Sequence, residues 1–325
     1  MSIGPIPYFD PPAWRPDLPL LGPTPLGIFG PIVVIGVLLG MQICLKHAAR
    51  RDLDEGVARD HLFWTLIFGF VISHWISVIF YFPERIQENP WVLLQVWNGL
   101  SSVGGFFGAF VGMLWFSRKH KQPMLVFADM NIYGLVTGMI FGRLSCALVH
   151  DHPGKIVEAV TPLAVGPWPC QCPEGGRRLS SCCVEGTGVF RYDLGLVELS
   201  ALLLLGALLY GWYARKLRPH GRITGFVATC YGAIRFSLDF FRETTAGNGV
   251  STPDLRYFGL TIAQYFSVAF FLAGIYLLLR KPRPHDDDYA KESDYQARVK
   301  AEADTSKAAA DTSEAAADSD EPPAT

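Results

Sequence analysis

Met124–Val149, MLVFADMNIYGLVTGMIFGRLSCALV, decides how this chain is read. The stretch is apolar for longer than the roughly 20 residues a helix needs to cross a bilayer, yet Arg143 lies inside it with no acidic residue beside it. A guanidinium at membrane depth costs about 3 kcal/mol or more, so it usually faces a cavity, a partner or a charged ligand. The pattern recurs at Arg235, within YGAIRFSLDFF, and at Arg242, which follows that run. Several cations set among apolar residues point to an anionic ligand such as a lipid phosphate.

Hydrophobic residues make up 50% of the 325 residues. Seven stretches are long and apolar enough to be spans: roughly Gly27 to Leu45, His61 to Phe82, Trp91 to Phe116, Met124 to Val149, Leu194 to Ala214, Ile223 to Phe241 and Tyr257 to Leu279. The expectation is an all-α integral membrane protein, with seven transmembrane helices forming one domain over 27–280. The segment 1–26 is Pro-rich (PIP, DPP, LGP, TPL) and lacks the basic start and small-residue cleavage site of a signal peptide, so the first span reads as an uncleaved anchor.

Orientation follows from basic loops, because Lys and Arg beside short connections mark the cytoplasmic side. KHAARR follows span one, SRKHK span three, ARKLRPHGR span five and RKPRPH span seven. All four fall on one side, which places the N-terminus outside and the C-terminus in the cytoplasm. The long connection from about 150 to 192 then becomes an extracytoplasmic cap loop. It holds Cys170, Cys172, Cys182 and Cys183, where disulfides are permitted. CQC followed by CC lacks the paired Cys-x-x-Cys of a zinc ribbon, which favours two bridges of open connectivity over a metal. Cys44 and Cys230, inside spans, read as small apolar packing residues. Residues 281–325, rich in Ala, Asp, Glu, Ser and Thr, read as a disordered cytoplasmic tail.

Once orientation is fixed, three segments meet at the outer half of the bilayer: GRLSCALVHDHPG (142–154), RYDLGLVE (191–198) and YGAIRFSLDFFRE (231–243). Their order and content resemble the prolipoprotein diacylglyceryl transferase family, over nearly all of residues 20 to 280. Further similarity lies in GIFG opening span one, VIFYF ending span two, VWNG then GGFFG in span three, FAD with Asp129 in span four, and LTIAQYFS with Gln264 in span seven. The resemblance implies an enzyme of the bacterial inner membrane that moves diacylglyceryl from phosphatidylglycerol to the cysteine thiol of a prolipoprotein. It also implies partners of three kinds, phosphatidylglycerol, prolipoprotein signal peptides and membrane lipid, with no nucleic acid.

Residue by residue, Arg143, Leu144 and Gly154 match the span-four signature, whereas Ser145, Cys146 and Asp151 stand where the family commonly has glycine, asparagine and glutamate. Arg191, Leu196 and Glu198 match the next motif, and Tyr231, Gly232, Arg235, Phe236, Asp239 and Arg242 match the third, Asp239 standing for a glutamate. Val103 occupies the position of a histidine before Gly104 and Gly105, and Phe29 that of a tyrosine. A valine cannot accept a proton, so His150 and His152, flanking Asp151, become the candidate bases. This HDH cluster is also a conceivable ligand set, although three adjacent ligands favour no particular ion. No metal and no cofactor are expected.

The implied chemistry is S-alkylation: a thiol sulfur displaces a phosphate ester from the glyceryl carbon, and negative charge gathers on the leaving phosphate. Guanidinium groups suit that task because they bind phosphate oxygens in bidentate fashion. Expected catalytic residues are Arg143, Arg235, His150, Asp151 and His152. Expected substrate contacts are Arg143, Gly154, Arg191, Glu198, Tyr231, Asp239, Arg242, Gln264, Gly104 and Gly105. Each has a structural counterpart reading. Arg191 and Arg242 can snorkel to headgroups, Glu198 and Asp239 can simply pair with arginines, and Gly104 and Gly105 can serve close helix packing. His74 reads equally as a core or a pocket residue. An inactive paralogue that binds lipid or precursor, or more remotely a transporter, is the alternative function.

The cap reading is directly testable. Cys170, Cys172, Cys182 and Cys183 should resist thiol-reactive mass tags in the native protein and label only after reduction; four freely labelled thiols would contradict it.

Overall fold

The computed structural model describes residues 6–9, 17–18, 22–23, 27–96, 101–158, 161–168, 189–243 and 256–283, with isolated positions 286, 289, 301, 305 and 307. The four cap cysteines and nearly all of the tail lie outside the described residues. The helices are α1 Phe29–Ala49, α2 Glu55–Ile76, α3 Glu84–Glu88, α4 Ser102–Lys119, α5 Met124–Val149, α6 Leu194–Gly211, α7 Arg222–Leu238 and α8 Ile262–Leu279. Five stretches are long and apolar enough to cross a bilayer: Phe29–Ala49, Glu55–Phe80, Met124–Val149, Leu194–Arg215 and Ile262–Leu279. Much of their apolar surface is exposed, as at Val34, Leu38, Leu204 and Leu272. That is the surface a lipid-facing helix presents.

Helix ends follow local chemistry. The Asp54 side chain caps α2 through the Val57 N–H at 2.8 Å, and Ser101 caps α4 through the Gly104 N–H at 3.3 Å. Thr261 and Gln264 form a reciprocal capping box at the start of α8. The expected third span, from Trp91, is interrupted. Pro90–Leu94 is a short 3-10 turn and the long helix starts only at Ser102. Asn89 caps that turn through the Trp91 N–H at 3.1 Å. His74 Nε2 lies 2.7 Å from the Val92 carbonyl, and the Trp75 indole donates to the Leu93 carbonyl at 3.2 Å. His74 is therefore a buried tether of this turn to α2.

The chain divides into two compact units, Met1–Cys44 with Asn131–Pro282, and Leu45–Met130 with Arg283–Thr325. In the second, α2 and α4 pack through a row of glycines on α4. A Cβ at Gly104 would sit 2.8 Å from Ser73 Cα, and one at Gly108 2.4 Å from the Phe68 carbonyl oxygen. At the other end His61 stacks on Phe127, with centroids 4.2 Å apart, and meets Phe116 edge-on.

The first unit holds α6 and α7 around Leu202, Leu205, Leu209, Ile223 and Val227, with Val136 of α5. The Tyr210 hydroxyl donates to the Tyr133 carbonyl at 2.6 Å. The expectation of an all-helical chain holds for the apolar part. The described residues also include the strands β1 Ile6–Pro7, β2 Asp17–Leu18, β3 Gly22–Pro23, β4 Pro153–Val157, β5 Ala164–Gly166, β6 Phe190–Asp193, β7 Arg256–Tyr257 and β8 Leu260–Thr261. Four of them form one sheet in the order β1-β5-β6-β4, in which β1 joins β5 in parallel, Ile6 opposite Val165. The expected cap loop thus contains a sheet, and the segment before α1 contributes a strand to it. Runs of two to five residues, broken by Gly and Pro, carry too little alternation to be read beforehand.

The glycine row makes a stability prediction. Gly108→Ala should destabilise the folded protein by about 1–3 kcal/mol, the usual cost of forcing atoms into a packed contact. Gly105→Ala meets only ordinary contacts, the nearest at 3.8 Å, and should leave the unfolding midpoint in detergent unchanged. Equal midpoints for both variants would refute the packing role.

Candidate active site

The site begins where α5 stops. His150 takes a left-handed backbone conformation, φ 50°, which ends the helix and turns the chain back over its last turn. Its ring is buried. Nδ1 bonds the Asp193 carboxylate, Nε2 accepts from the Phe9 N–H at 3.5 Å, and the face stacks on Tyr8 with centroids 4.4 Å apart. Asp193 also caps α6, accepting from the Leu196 N–H at 3.1 Å. One buried carboxylate thus locks the end of α5 to the start of α6. Gly195 permits the close approach this requires, since a Cβ there would lie 2.8 Å from the Ala147 nitrogen.

With that register set, Arg143 on α5 faces Glu198 on α6. Arg143 Nε lies 3.1 Å from Glu198 Oε1, and the Tyr231 hydroxyl of α7 donates to the same oxygen at 2.9 Å. The partner of this intramembrane arginine is therefore Glu198, contributed by another helix, rather than Asp129 of its own. Arg143 Nη1 also approaches His152 Nε2 at 3.5 Å and Cys146 Sγ at 3.9 Å. His152 Nδ1 in turn bonds Asp151. Because a guanidinium only donates, Nε2 accepts and the proton sits on Nδ1 toward Asp151. Cys146, Asp151 and His152 converge: their ligand-capable atoms all lie within 4.8 Å of one another.

A second cluster forms where α7 ends. Buried Asp239 pairs with Arg235 at 3.4 Å and Arg242 at 2.8 Å, accepts from the Thr261 hydroxyl, and offers its carbonyl to Arg256 at 3.4 Å. Two guanidiniums therefore meet on one buried carboxylate. Tyr231 and Arg235, four residues apart on α7, tie the helix to both clusters, the first through Glu198 and the second through Asp239. Arg191, on β6, is almost fully buried and does not snorkel. It donates to the Gly154 carbonyl at 3.0 Å and lies 3.8 Å from Glu243. Burial pushes its guanidinium down from the ordinary value, and the Glu243 charge opposes that shift. Gly154 bridges to Arg242 through the backbone; a Cβ there would meet the Phe241 carbonyl at 2.8 Å.

The fold therefore brings together Arg143, Asp151, His152, Glu198 and Tyr231, and beside them Arg235, Asp239 and Arg242. Other expected residues make contacts of a different kind. His150 has both ring nitrogens engaged in the cap. Gln264 spends its side chain on the capping box and on the Phe236 carbonyl at 3.2 Å. Gly104 and Gly105 lie on α4, where Gly104 faces α2. Residues missed beforehand are Asp193, Thr261, Arg256 and Glu243. Asp193 ahead of an apolar run, and the Thr-x-x-Gln at 261–264, are cap signatures available in the sequence. Arg256, in a connection, carried no signal.

A family model described as prolipoprotein diacylglyceryl transferase matches residues 16–280. A phosphatidylglycerol–prolipoprotein diacylglyceryl transferase of Rhizobium leguminosarum bv. trifolii is 28% identical over 296 residues, covering 87% of this chain and 95% of its own. One from Sodalis glossinidius is 28% identical with 87% and 98% covered, and one from Roseobacter denitrificans 27% identical with 76% and 87% covered. Matched along most of its length, and with Arg143, Glu198, Tyr231 and Asp239 gathered in space, this chain belongs to the prolipoprotein diacylglyceryl transferase family.

Proposed function

We infer that the protein transfers the diacylglyceryl group of phosphatidylglycerol to the cysteine thiol of a prolipoprotein. The observation that carries the reading is Arg143, set in an apolar helix and oriented by Glu198, with Arg235 and Arg242 gathered on Asp239 in the same compact unit. The reaction forms one C–S bond and breaks one C–O bond. Glycerol phosphate leaves with the bonding pair, and the thiol proton passes to solvent. Charge develops on the departing phosphate, where preorganised guanidiniums in a water-poor site are most effective.

Roles follow from position. Arg143 and Arg235 hold the phosphate, with Arg242 and Arg191 at the outer edge. Glu198 and Asp239 orient the arginines, and Tyr231 fixes Glu198. Activation of the thiol falls to the Asp151–His152 pair beside Arg143. In the membrane, α1, α2, α4, α5, α6, α7 and α8 are read as seven spans in the bacterial inner membrane. The basic loops at 46–51, 118–121, 215–222 and 280–283 support a cytoplasmic C-terminus and an external cap. Signal peptides would reach the thiol site laterally from the bilayer, as the lipid does.

Two mutational outcomes test the assignment. Arg143→Ala and Arg235→Ala should each lower diacylglyceryl adduct formation on a lipobox peptide by roughly 10²–10³-fold without loss of inserted protein. Lysine should restore only part, keeping charge but not the planar fork. Full activity of either alanine variant, scored by peptide mass, would overturn the phosphate role. The two histidines should also separate. His152→Gln should depress turnover at unchanged thermal stability. His150→Gln should lower the unfolding midpoint, because it leaves Asp193 buried without its partner.

A further inference from the structure

Asp239 is the carboxylate on which Arg235 and Arg242 meet, and its two oxygens are held in different ways. Oδ1 lies 3.4 Å from Arg235 and 2.8 Å from Arg242, yet among the described residues it accepts no aligned hydrogen bond. Charge at these distances constrains separation more than rotation, because the directional part of a hydrogen bond is lost at poor angles. Oδ2 has the directional contact, the hydroxyl of Thr261. We propose that Thr261, assisted by Arg256, is a positioning residue for transfer: it sets the rotation of the Asp239 carboxylate, and through it the direction in which Arg235 and Arg242 meet the phosphate. The proposal rests on the transferase reading for the identity of that phosphate.

The β7–β8 hairpin delivers both residues to one place. Arg256 stands opposite Thr261 in its register, so the two share a face. Thr261 bonds the side chain of Asp239, and Arg256 Nη2 donates to its main-chain carbonyl at 3.4 Å. Arg256 Nη1 meanwhile closes the turn on the Gly259 carbonyl at 3.2 Å. That turn is made by Phe258 and Gly259, at φ 51° and 83°, the left-handed pair of a two-residue hairpin. A phenylalanine in this conformation is strained, and Phe258 is wholly exposed, so its own side chain gains no packing in return. The turn is held instead by the Arg256 bridge and by the Tyr265 hydroxyl, which donates to the Tyr257 carbonyl at 2.8 Å.

Thr261 is itself held fast. It is buried, its oxygen accepts from the Gln264 N–H at 3.2 Å, and its own N–H donates to Gln264 Oε1 at 3.0 Å. Accepting from the helix while donating to Asp239 uses both capacities of one hydroxyl. Gln264 Nε2 reaches back to the Phe236 carbonyl of α7 at 3.2 Å. The two helices also pack closely at Gly232, where a Cβ would sit 2.7 Å from the Ser267 carbonyl oxygen. The start of α8 is therefore a fixed support for a carboxylate at the end of α7. The lipid phosphodiester carries a single negative charge, and the departing glycerol phosphate gains a second only as the C–O bond breaks. Guanidiniums aimed in advance stabilise that added charge without reorganisation. Misaimed ones keep the ground-state attraction and lose part of the transition-state gain, so the signature is a fall in kcat with little change in KM.

The test compares Thr261→Val, which keeps the shape and removes the donor, with Thr261→Ser, which retains it, as full chains in detergent with phosphatidylglycerol and a lipobox peptide. Turnover is expressed per folded protein, so that loss of the α8 cap is read separately in the unfolding midpoint. Thr261→Val should lower kcat at least roughly tenfold, the order expected of a hydrogen bond to a charged group, with KM for the lipid within about twofold. Thr261→Ser should recover turnover to within about threefold of the unaltered chain. Arg256→Met leaves the cap of α8 untouched and decides the matter if Thr261→Val does not fold: a loss in kcat of at least roughly threefold supports the proposal, and an undiminished kcat overturns it. The guanidinium N–H resonances of Arg235 and Arg242, in spectra of arginine-labelled protein assigned through their lysine variants, give a readout independent of turnover. They should shift in Thr261→Val and stay in place in Thr261→Ser. Undiminished kcat in folded Thr261→Val, or unshifted resonances, overturns the positioning role while leaving the transferase reading intact. Shifted resonances in Thr261→Val, with no adduct formed by the unaltered chain, uphold the orientation of Asp239 and overturn that reading.

Discussion

Asp193 carries two duties in a place where water cannot help it. One carboxylate oxygen caps the first turn of α6, and the other holds the ring of His150 at the end of α5. A buried carboxylate costs several kcal/mol to desolvate and is tolerated only when its hydrogen bonds are complete. Those bonds fix two helix ends at one point, and everything functional is measured from that point. Arg143 lies two turns down α5 and Glu198 just over one turn into α6, so their meeting at 3.1 Å depends on this register. The same anchor forces the reversal that lays Asp151 and His152 over Cys146.

The arginines show how a membrane protein keeps cations where they are expensive. Each is matched before any ligand arrives: Arg143 with Glu198, Arg235 and Arg242 with Asp239, and Arg191 with a carbonyl and Glu243. Pairing keeps the guanidiniums charged and fixed in direction. A guanidinium has five N–H groups, and each of these pairings uses one or two of them.

Much of this was legible in the sequence, for reasons that differ from residue to residue. Apolar runs located the helices because bilayer thickness sets their length. Arg143, Glu198, Tyr231 and Asp239 could be named because their residue types are costly in such runs and stand in a recognisable order. The convergence of Cys146 with Asp151 and His152 was hidden, since it depends on a left-handed turn at a non-glycine residue, which local propensity does not announce. The division between His150 and His152 was hidden too: adjacent in sequence, they part company because one ring meets Asp193 and the other meets Arg143. The start of the third span misled in the opposite direction: hydropathy reads Trp91 to Phe116 as one run, whereas the 3-10 turn ends at Leu94 and the long helix begins at Ser102.

The parallel pairing of Ile6–Pro7 with Ala164–Gly166 has a consequence for how the chain is made. The first strand precedes α1 in the chain, yet its partner follows after α1, α2, α3, α4 and α5. At roughly 5–20 residues per second, the two are separated by about 8–30 s of translation. Ile6–Pro7 can therefore pair with Ala164–Gly166 only after α1 to α5 have been made. Closure of the sheet follows the synthesis of α5, and it brings Tyr8 and Phe9 onto the ring of His150.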